Sequence, residues 1–378
     1  MIYADHAATT QLSRLAFEKA REFLFEEYGN ASSRYSLGVR AKRAIEAARE
    51  RVAAAIGAEP DEIFFTSSGS EGNAWTLTSL RERPNLRLVV SAFEHPSIHE
   101  SALAYAKRGA KVDFIPVERT GLISLDSCRE IFRGGKIGLV SVMLANNEVG
   151  TIQPVDKVVS LARRYQTLVH TDAVQAVGRI PVDVRALGVD LLTASAHKFN
   201  GPKGVGFLFK RRGVELPTLI RGGGQEQGER AGTENVFGIV AASFALEENV
   251  AVLEKIEHQL RTLTQRTIDI IGEELNEGDF FIVGDETART PGAFNVVFRN
   301  ADSEAMTILL DMKGVCVSTG SACDSVKKEP SRVLLALGLT PKEASSAIRI
   351  SYGRENTIEE AEIVGKTLCF AYHKLRRP

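Results

Sequence analysis

From Glu62 onward, short runs of β-branched and aromatic residues alternate with stretches of helical periodicity. The runs are Ile63-Phe64-Phe65, Leu88-Val89-Val90, Val112 to Ile115, Ile137 to Leu144, Leu168-Val169-His170, Leu191-Leu192-Thr193 and Val205 to Phe209. Apart from Asp113 they run apolar on both faces, as strands must when helices cover both sides of their sheet. Strand, helix, strand in that order closes as parallel crossovers, so the fold class is α/β with a large, mostly parallel sheet. Ahead of it, residues 12–27 and 36–56 predict surface helices. The second carries Val39, Ala41, Ile45, Ala48, Val52 and Ile56 at three- and four-residue spacing and stops at Gly57.

Past the glycine-rich segment Arg221 to Gly232, a long helical pattern from about Val236 to Gly272 leads into a differently built region. There, strands near Phe280 to Val283, Phe294 to Phe298, Val315-Cys316-Val317 and Ile348-Arg349-Ile350 predict a smaller α+β domain. The chain of 378 residues holds about two domains at roughly 150 residues each. The expected division is a large domain over 12–255 and a small one formed by 1–11 with 256–378, joined rigidly through the long helix.

Charge narrows the partners. With 47 Lys+Arg against 48 Asp+Glu, the net charge of −1 offers no clustered positive field for nucleic acid or an anionic membrane. No stretch approaches the ~20 apolar residues of a membrane helix, and Met1 to His6 is not a basic segment followed by an apolar one, so a cytoplasmic location is expected. Four cysteines without a Cys-x-x-Cys pair provide neither a disulfide framework nor structural zinc.

Three segments carry chemistry. Thr66-Ser67-Ser68-Gly69-Ser70-Glu71-Gly72-Asn73 follows a strand and opens a helix, gathering backbone N–H groups and small hydroxyls as an anion cradle. His170-Thr171-Asp172-Ala173-Val174-Gln175 ends a strand with an acid and an amide at the sheet edge where α/β folds bind ligands. Ser195-Ala196-His197-Lys198-Phe199-Asn200-Gly201 sets a lysine among small, aromatic and glycine residues, a setting that can keep it nucleophilic. A phosphate cradle, an acid for a pyridine nitrogen and a Schiff-base lysine together match one cofactor, pyridoxal 5'-phosphate. His95 and His99 share a helix face, but Pro96 stands where a zinc motif has its glutamate, so a helix start is the simpler reading and no metal is expected.

At this point the sequence resembles the pyridoxal-phosphate cysteine desulfurases, over nearly the whole chain. The matching stretches include Ala4 to Thr10, Gly29 to Ser33, Glu94-His95, Ala145 to Gly150, Arg230 to Thr233 and Ser318-Thr319-Gly320-Ser321-Ala322-Cys323, besides the Asp172 and Lys198 segments. The resemblance implies a fold of the aspartate-aminotransferase type (fold type I) and a homodimer. It implies that Lys198 forms the imine with the cofactor, Asp172 pairs with the pyridinium, and Gln175 and Asn147 bond around the ring hydroxyl. His95 would stack on the ring and serve as acid or base. Gly69, Ser70, Ser195 and His197 would hold the phosphate, with Thr233 of the neighbouring subunit. Arg349, with Asn147, would bind the substrate carboxylate. Cys323 would attack the sulfur of L-cysteine, leaving L-alanine and an enzyme-bound persulfide for an acceptor protein of iron–sulfur cluster assembly or tRNA thiolation.

The residues around each cysteine separate them. Cys316, in Val315-Cys316-Val317, reads as a small buried hydrophobe, and Cys128 and Cys369 lie in helical patterns. Cys323 lies in a run of small polar residues from Ser318 to Ser325, long enough to be mobile. Departures from the family pattern are His6 in place of Asn and Tyr35 in place of His. The chain also stops soon after its last helical pattern, where housekeeping relatives continue, which leaves the acceptor open. A selenocysteine lyase of the same fold and a catalytically silent sulfur-relay protein are the alternatives.

Overall fold

The computed structural model describes residues 1–80, 86–319 and 330–376. The chain opens with β1 (Ile2–Tyr3), α1 (Arg14–Ala20), α2 (Glu22–Phe25) and α3 (Ser36–Ala55), then β2 (Ile63–Thr66) and α4 (Gly69–Leu77). Next come β3 (Arg87–Ser91), α5 (Pro96–Lys107), β4 (Val112–Ile115), α6 (Leu125–Arg133), β5 (Ile137–Ser141) and α7 (Val155–Arg163). They are followed by β6 (Leu168–Asp172), α8 (Val184–Leu187), β7 (Leu191–Ser195) and β8 (Gly206–Lys210). The remainder comprises α9 (Val236–Ala251), α10 (Leu253–Glu274), β9 (Phe280–Val283), β10 (Ala293–Phe298), α11 (Ser303–Met312), β11 (Val315–Cys316), α12 (Arg332–Ala336), α13 (Pro341–Ala344), β12 (Ala347–Ser351) and α14 (Ile358–Leu375).

The main sheet has seven strands in the order β2-β8-β7-β6-β5-β3-β4. Pairing is parallel from β4 through β3, β5 and β6 to β7, and antiparallel where β8 fits between β7 and β2. Successive residues face opposite cores. Val89 and Phe207 join the cluster that includes Ala41 and Ile45 of α3, whereas Leu88, Val90 and Leu208 join the one holding Trp75 of α4 and Ile98 of α5. This is why the strands carry no polar alternation.

A three-stranded antiparallel sheet, β12-β10-β9, forms the second layer system. Its residues Phe294, Val296 and Phe298 pack in a cluster with Leu263 of α10 and Leu368 of α14, while Val297 turns back to the main core. The N-terminal β1 pairs in parallel with β11.

The helical pattern after Val236 is not one helix. It breaks at Val252, and α9 and α10 meet at 74°. The reason is tertiary: Asn249 Nδ2 donates to Phe199 O at 2.7 Å, and Arg354 donates to Asn249 Oδ1 at 3.2 Å, which pins the last turn of α9. Val252 then takes φ −123°, outside the helical basin. Among the described residues no single helix is long and apolar enough to cross a membrane.

Candidate active site

The ends of β6 and β7 and the starts of α4 and α5 converge on a cavity of about 290 Å³. Helix α4 starts at the cavity because Ser68 caps it, its Oγ accepting from Glu71 N at 3.2 Å. Glu71 is anchored in turn by Arg230 at 2.7 Å. A side chain at Gly69 would place its Cβ 2.7 Å from Val174 Cγ2, so only glycine lets the strand end approach the helix start this closely. The first N–H groups of a helix have no intrahelical acceptor, which makes this end a seat for an anion. Ser70, Ser195 and His197 line the same end.

Asp172 closes β6 and is 3% exposed. Its carboxylate accepts from Asn73 Nδ2 at 2.7 Å and from Val174 N at 3.0 Å. Lys198 lies in the single turn after β7 and reaches the carbonyls of Ala7 and Ala8 at 2.6 and 2.7 Å. Gln175 Nε2 donates to Ala7 O at 2.9 Å and its Oε1 accepts from Arg179. The N-terminal segment is thus strapped across the cavity.

His197 bonds Thr9 Oγ1 through Nδ1 at 3.1 Å. Its pKa is lowered to about 4 by burial, then by the charges of Lys198, Lys203 and His95, so it is neutral at pH 7. His95 caps α5, with Nδ1 accepting from Ser97 N at 3.1 Å. Pro96 occupies the first helical position. Arg349, on β12, pairs with Asp5 at 2.6 Å and donates to Asn147 O at 2.9 Å. Among the described residues Asn147 Oδ1 is buried without a hydrogen-bond partner.

One group beneath the cavity predicts a stability effect. Glu94 is fully buried, with Oε1 accepting from Ser91 Oγ at 2.5 Å and Met143 N at 2.7 Å. Burial, with the Asp172 charge adding, pushes its pKa up to about 8 against the Ser91 and Met143 hydrogen bonds. A carboxyl raised in the folded state favours folding below the unfolded pKa and loses that contribution as pH rises through the folded one. Glu94→Gln keeps an acceptor for Met143 N but does not titrate. Its melting temperature relative to wild type is expected to climb between pH 4.5 and 8 and then level off; thermal unfolding across pH checks this, and a difference flat with pH contradicts it.

One residue expected at the site lies elsewhere. Thr233, expected at the neighbouring subunit's phosphate, is exposed and lines a separate hollow with Ser67 and Arg230. Cys323 lies outside the described residues. Cys316 is half-buried rather than buried. Its strand is only two residues long, and Val315 takes the inward position, leaving the thiol turned outward and 3.9 Å from Asp311. Three contributors went unassigned from sequence: Asn73, Ser97 and Asp5. All lie within or beside the motifs above; Asn73 and Asp5 meet partners 99 and 344 positions away, and Ser97 joins Asn73 to its near neighbour His95.

The aminotransferase class-V family profile matches residues 2–364. The chain belongs to that family. Class-V aminotransferases use pyridoxal phosphate, and the cavity fits it: a helix N-terminus clear of side-chain bulk, a buried carboxylate, a lysine, and the unsatisfied Asn147 Oδ1 all face one space. Among similar class-V proteins, "Cysteine desulfurase IscS" of Dictyoglomus turgidum is 41% identical, covering 99% of this chain and 95% of its own. The protein of that name from Methanosarcina thermophila is 38% identical, with 99% and 93% covered. A solved structure described as a NifS-like protein superposes with a TM-score of 0.92 at 36% identity, covering 99% of this chain and all of its own. Another, described as SspA in complex with cysteine, gives 0.81 at 29% identity, with 94% and 100% covered.

Proposed function

We propose that the protein is a pyridoxal-phosphate-dependent cysteine desulfurase that converts L-cysteine to L-alanine and carries the sulfur as a persulfide on Cys323. The observation that carries this reading is the convergence of Asp172, Lys198, Arg349 and the start of α4 on one cavity, in a chain whose relatives are named cysteine desulfurases.

In this reading Lys198 bonds the cofactor covalently and afterwards moves the substrate Cα proton. Asp172, oriented by Asn73 and Val174 N, keeps the pyridine nitrogen protonated. The first turn of α4 with Ser70, Ser195 and the neutral His197 receives the phosphate. Asn147 Oδ1 and Gln175 face the ring substituents. Bound there, pyridoxal phosphate supplies an electron-poor ring that stores the electron pair left at Cα. Cys323 takes the substrate sulfur, and the Cβ–S bond breaks to leave alanine. The persulfide then passes to an acceptor protein of iron–sulfur assembly or tRNA thiolation. The enzyme works as a cytoplasmic homodimer, with Thr233 completing the phosphate seat of the neighbouring subunit; its exposure away from the cavity of its own chain supports that role.

Arg349 holds the substrate carboxylate. Its planar fork already meets Asp5 and Asn147 O, so its direction is fixed before substrate arrives. Arg349→Lys keeps the charge but not the fork. A charge-assisted hydrogen bond is worth about 1.5–3 kcal/mol, so KM for cysteine should rise roughly 10- to 100-fold. Steady-state kinetics test this; an unchanged KM shows that Arg349 serves structural contacts such as those to Asp5 and Asn147 O instead.

The function itself is tested by incubating the holoenzyme with L-cysteine and, separately, L-selenocysteine. Alanine formed in step with enzyme-bound sulfur supports the reading. Turnover of selenocysteine alone replaces it with a selenocysteine lyase, and no alanine from either refutes it.

A further inference from the structure

Asp172 is joined to His95 by a directed run of hydrogen bonds, whose meaning for catalysis rests on the desulfurase reading. Asn73 Nδ2 donates to Asp172 Oδ2 at 2.7 Å and to Ser97 Oγ at 2.9 Å. The amide cannot be turned over, because its carbonyl oxygen would then face a carboxylate, acceptor against acceptor. The orientation has a cost: Asn73 Oδ1 is buried without a hydrogen-bond partner among the described residues. Ser97 Oγ accepts from Asn73 and lies 2.8 Å from His95 Nδ1, in reach to donate its own hydrogen. The Ser97 backbone N–H approaches the same ring nitrogen at 3.1 Å. A main-chain N–H only donates, so a hydrogen on His95 Nδ1 would oppose it.

We infer that Ser97 and Asn73 are positioning residues that hold His95 as the neutral Nε2–H tautomer, with Nδ1 closed to protons. The one lone pair of the neutral ring is the one that Ser97 occupies. His95 therefore acts as a hydrogen-bond donor through Nε2, and it does not take up the proton of Cys323. A proton placed on Nδ1 would also remove the cap of α5, which depends on that nitrogen accepting from Ser97 N.

The tautomer is read directly by nitrogen-15 NMR of histidine-labelled holoenzyme at about pH 8, above the ordinary histidine pKa of about 6.5. The His95 signals are identified by their loss in His95→Gln. Wild type is expected to show a bare Nδ1 and a protonated Nε2, and Ser97→Thr, which keeps the hydroxyl, the same. Ser97→Asp exchanges the hydroxyl donor for an acceptor in the first turn of a helix, where an acid is well tolerated, while the backbone N–H of that residue stays; the fraction of His95 carrying a hydrogen on Nδ1 is expected to rise above that of wild type. A protonated Nδ1 in wild type, or a Nδ1-protonated fraction in Ser97→Asp no larger than in wild type, overturns the inference. Alanine formation from cysteine, measured on the same wild-type sample, reports separately on the desulfurase reading: its absence alongside a bare Nδ1 removes that reading and leaves the tautomer assignment standing.

Discussion

In Lys198→Ala, borohydride is expected to trap no phosphopyridoxyl group, and alanine formation from cysteine to fall roughly 10³-fold or more, since proton transfer by a positioned group alone contributes about 10²–10⁴. Lys198 is the lysine that lines the cavity among the described residues, held by the carbonyls of Ala7 and Ala8 at 2.6 and 2.7 Å. In the proposed mechanism an alanine there removes both the nucleophile and the base, while Asp172 and the α4 start remain to bind the cofactor non-covalently. Lys198→Arg separates charge from chemistry, because a guanidinium fills the space but neither forms the bond nor gives up its proton. Mass spectrometry of the trapped wild type should place the phosphopyridoxyl group on Lys198. A different lysine would overturn the assignment.

Cys323→Ser should bind cofactor and cysteine normally, yet form no persulfide and release less than about 1% of the wild-type alanine, because a hydroxyl is far less nucleophilic than a thiolate. The other cysteines are poor substitutes. Burial pushes the Cys128 thiol up to about 11 and the Cys369 thiol up to about 12. With a pKa of about 11, only ~10⁻⁴ of a thiol is ionised at pH 7. Cys316 is also raised, by burial and then by Asp311, and its strand fixes it between β1 and the Asp311 carboxylate. Full turnover by Cys323→Ser would mean that one of these three acts instead, and would contradict the role given to Cys323.

Much of the architecture was legible because burial on both faces leaves a simple signature. The seven runs correspond to strands β2 to β8, and only the edge strand β4, which carries Asp113, departs from the pattern of burial on both faces. What sequence could not show was where tertiary contacts interrupt a local pattern. Val250, Ala251, Val252 and Leu253 continue a helical periodicity, yet the chain turns by 74° because Asn249 is tied to Phe199. Cys316 reads as buried beside two valines, but a two-residue strand has too few ladder bonds for alternation to decide its exposure.

The site divides in the same way. Lys198, Asp172 and the Gly69–Ser70 turn sit in compact motifs whose chemistry can be argued from residue type and position. Asn73 and Ser97 could not be assigned so, since Asn73 meets Asp172 from 99 positions away and Ser97 looks like any residue of a first helical turn. Asp5 reaches Arg349 across 344 positions, which no local pattern encodes. Where four elements converge, the sequence shows the parts and the fold alone shows which of them touch.

In the proposed reaction this cavity delivers the sulfur of cysteine to Cys323. A single turnover of holoenzyme with sulfur-35 cysteine, followed by peptide mapping under non-reducing conditions, tests it most directly. The expected result is one label per alanine formed, carried on the Cys323 peptide and released by a thiol reductant. Label on the peptide of Cys128, Cys316 or Cys369, or alanine formed with no protein-bound label, would contradict it.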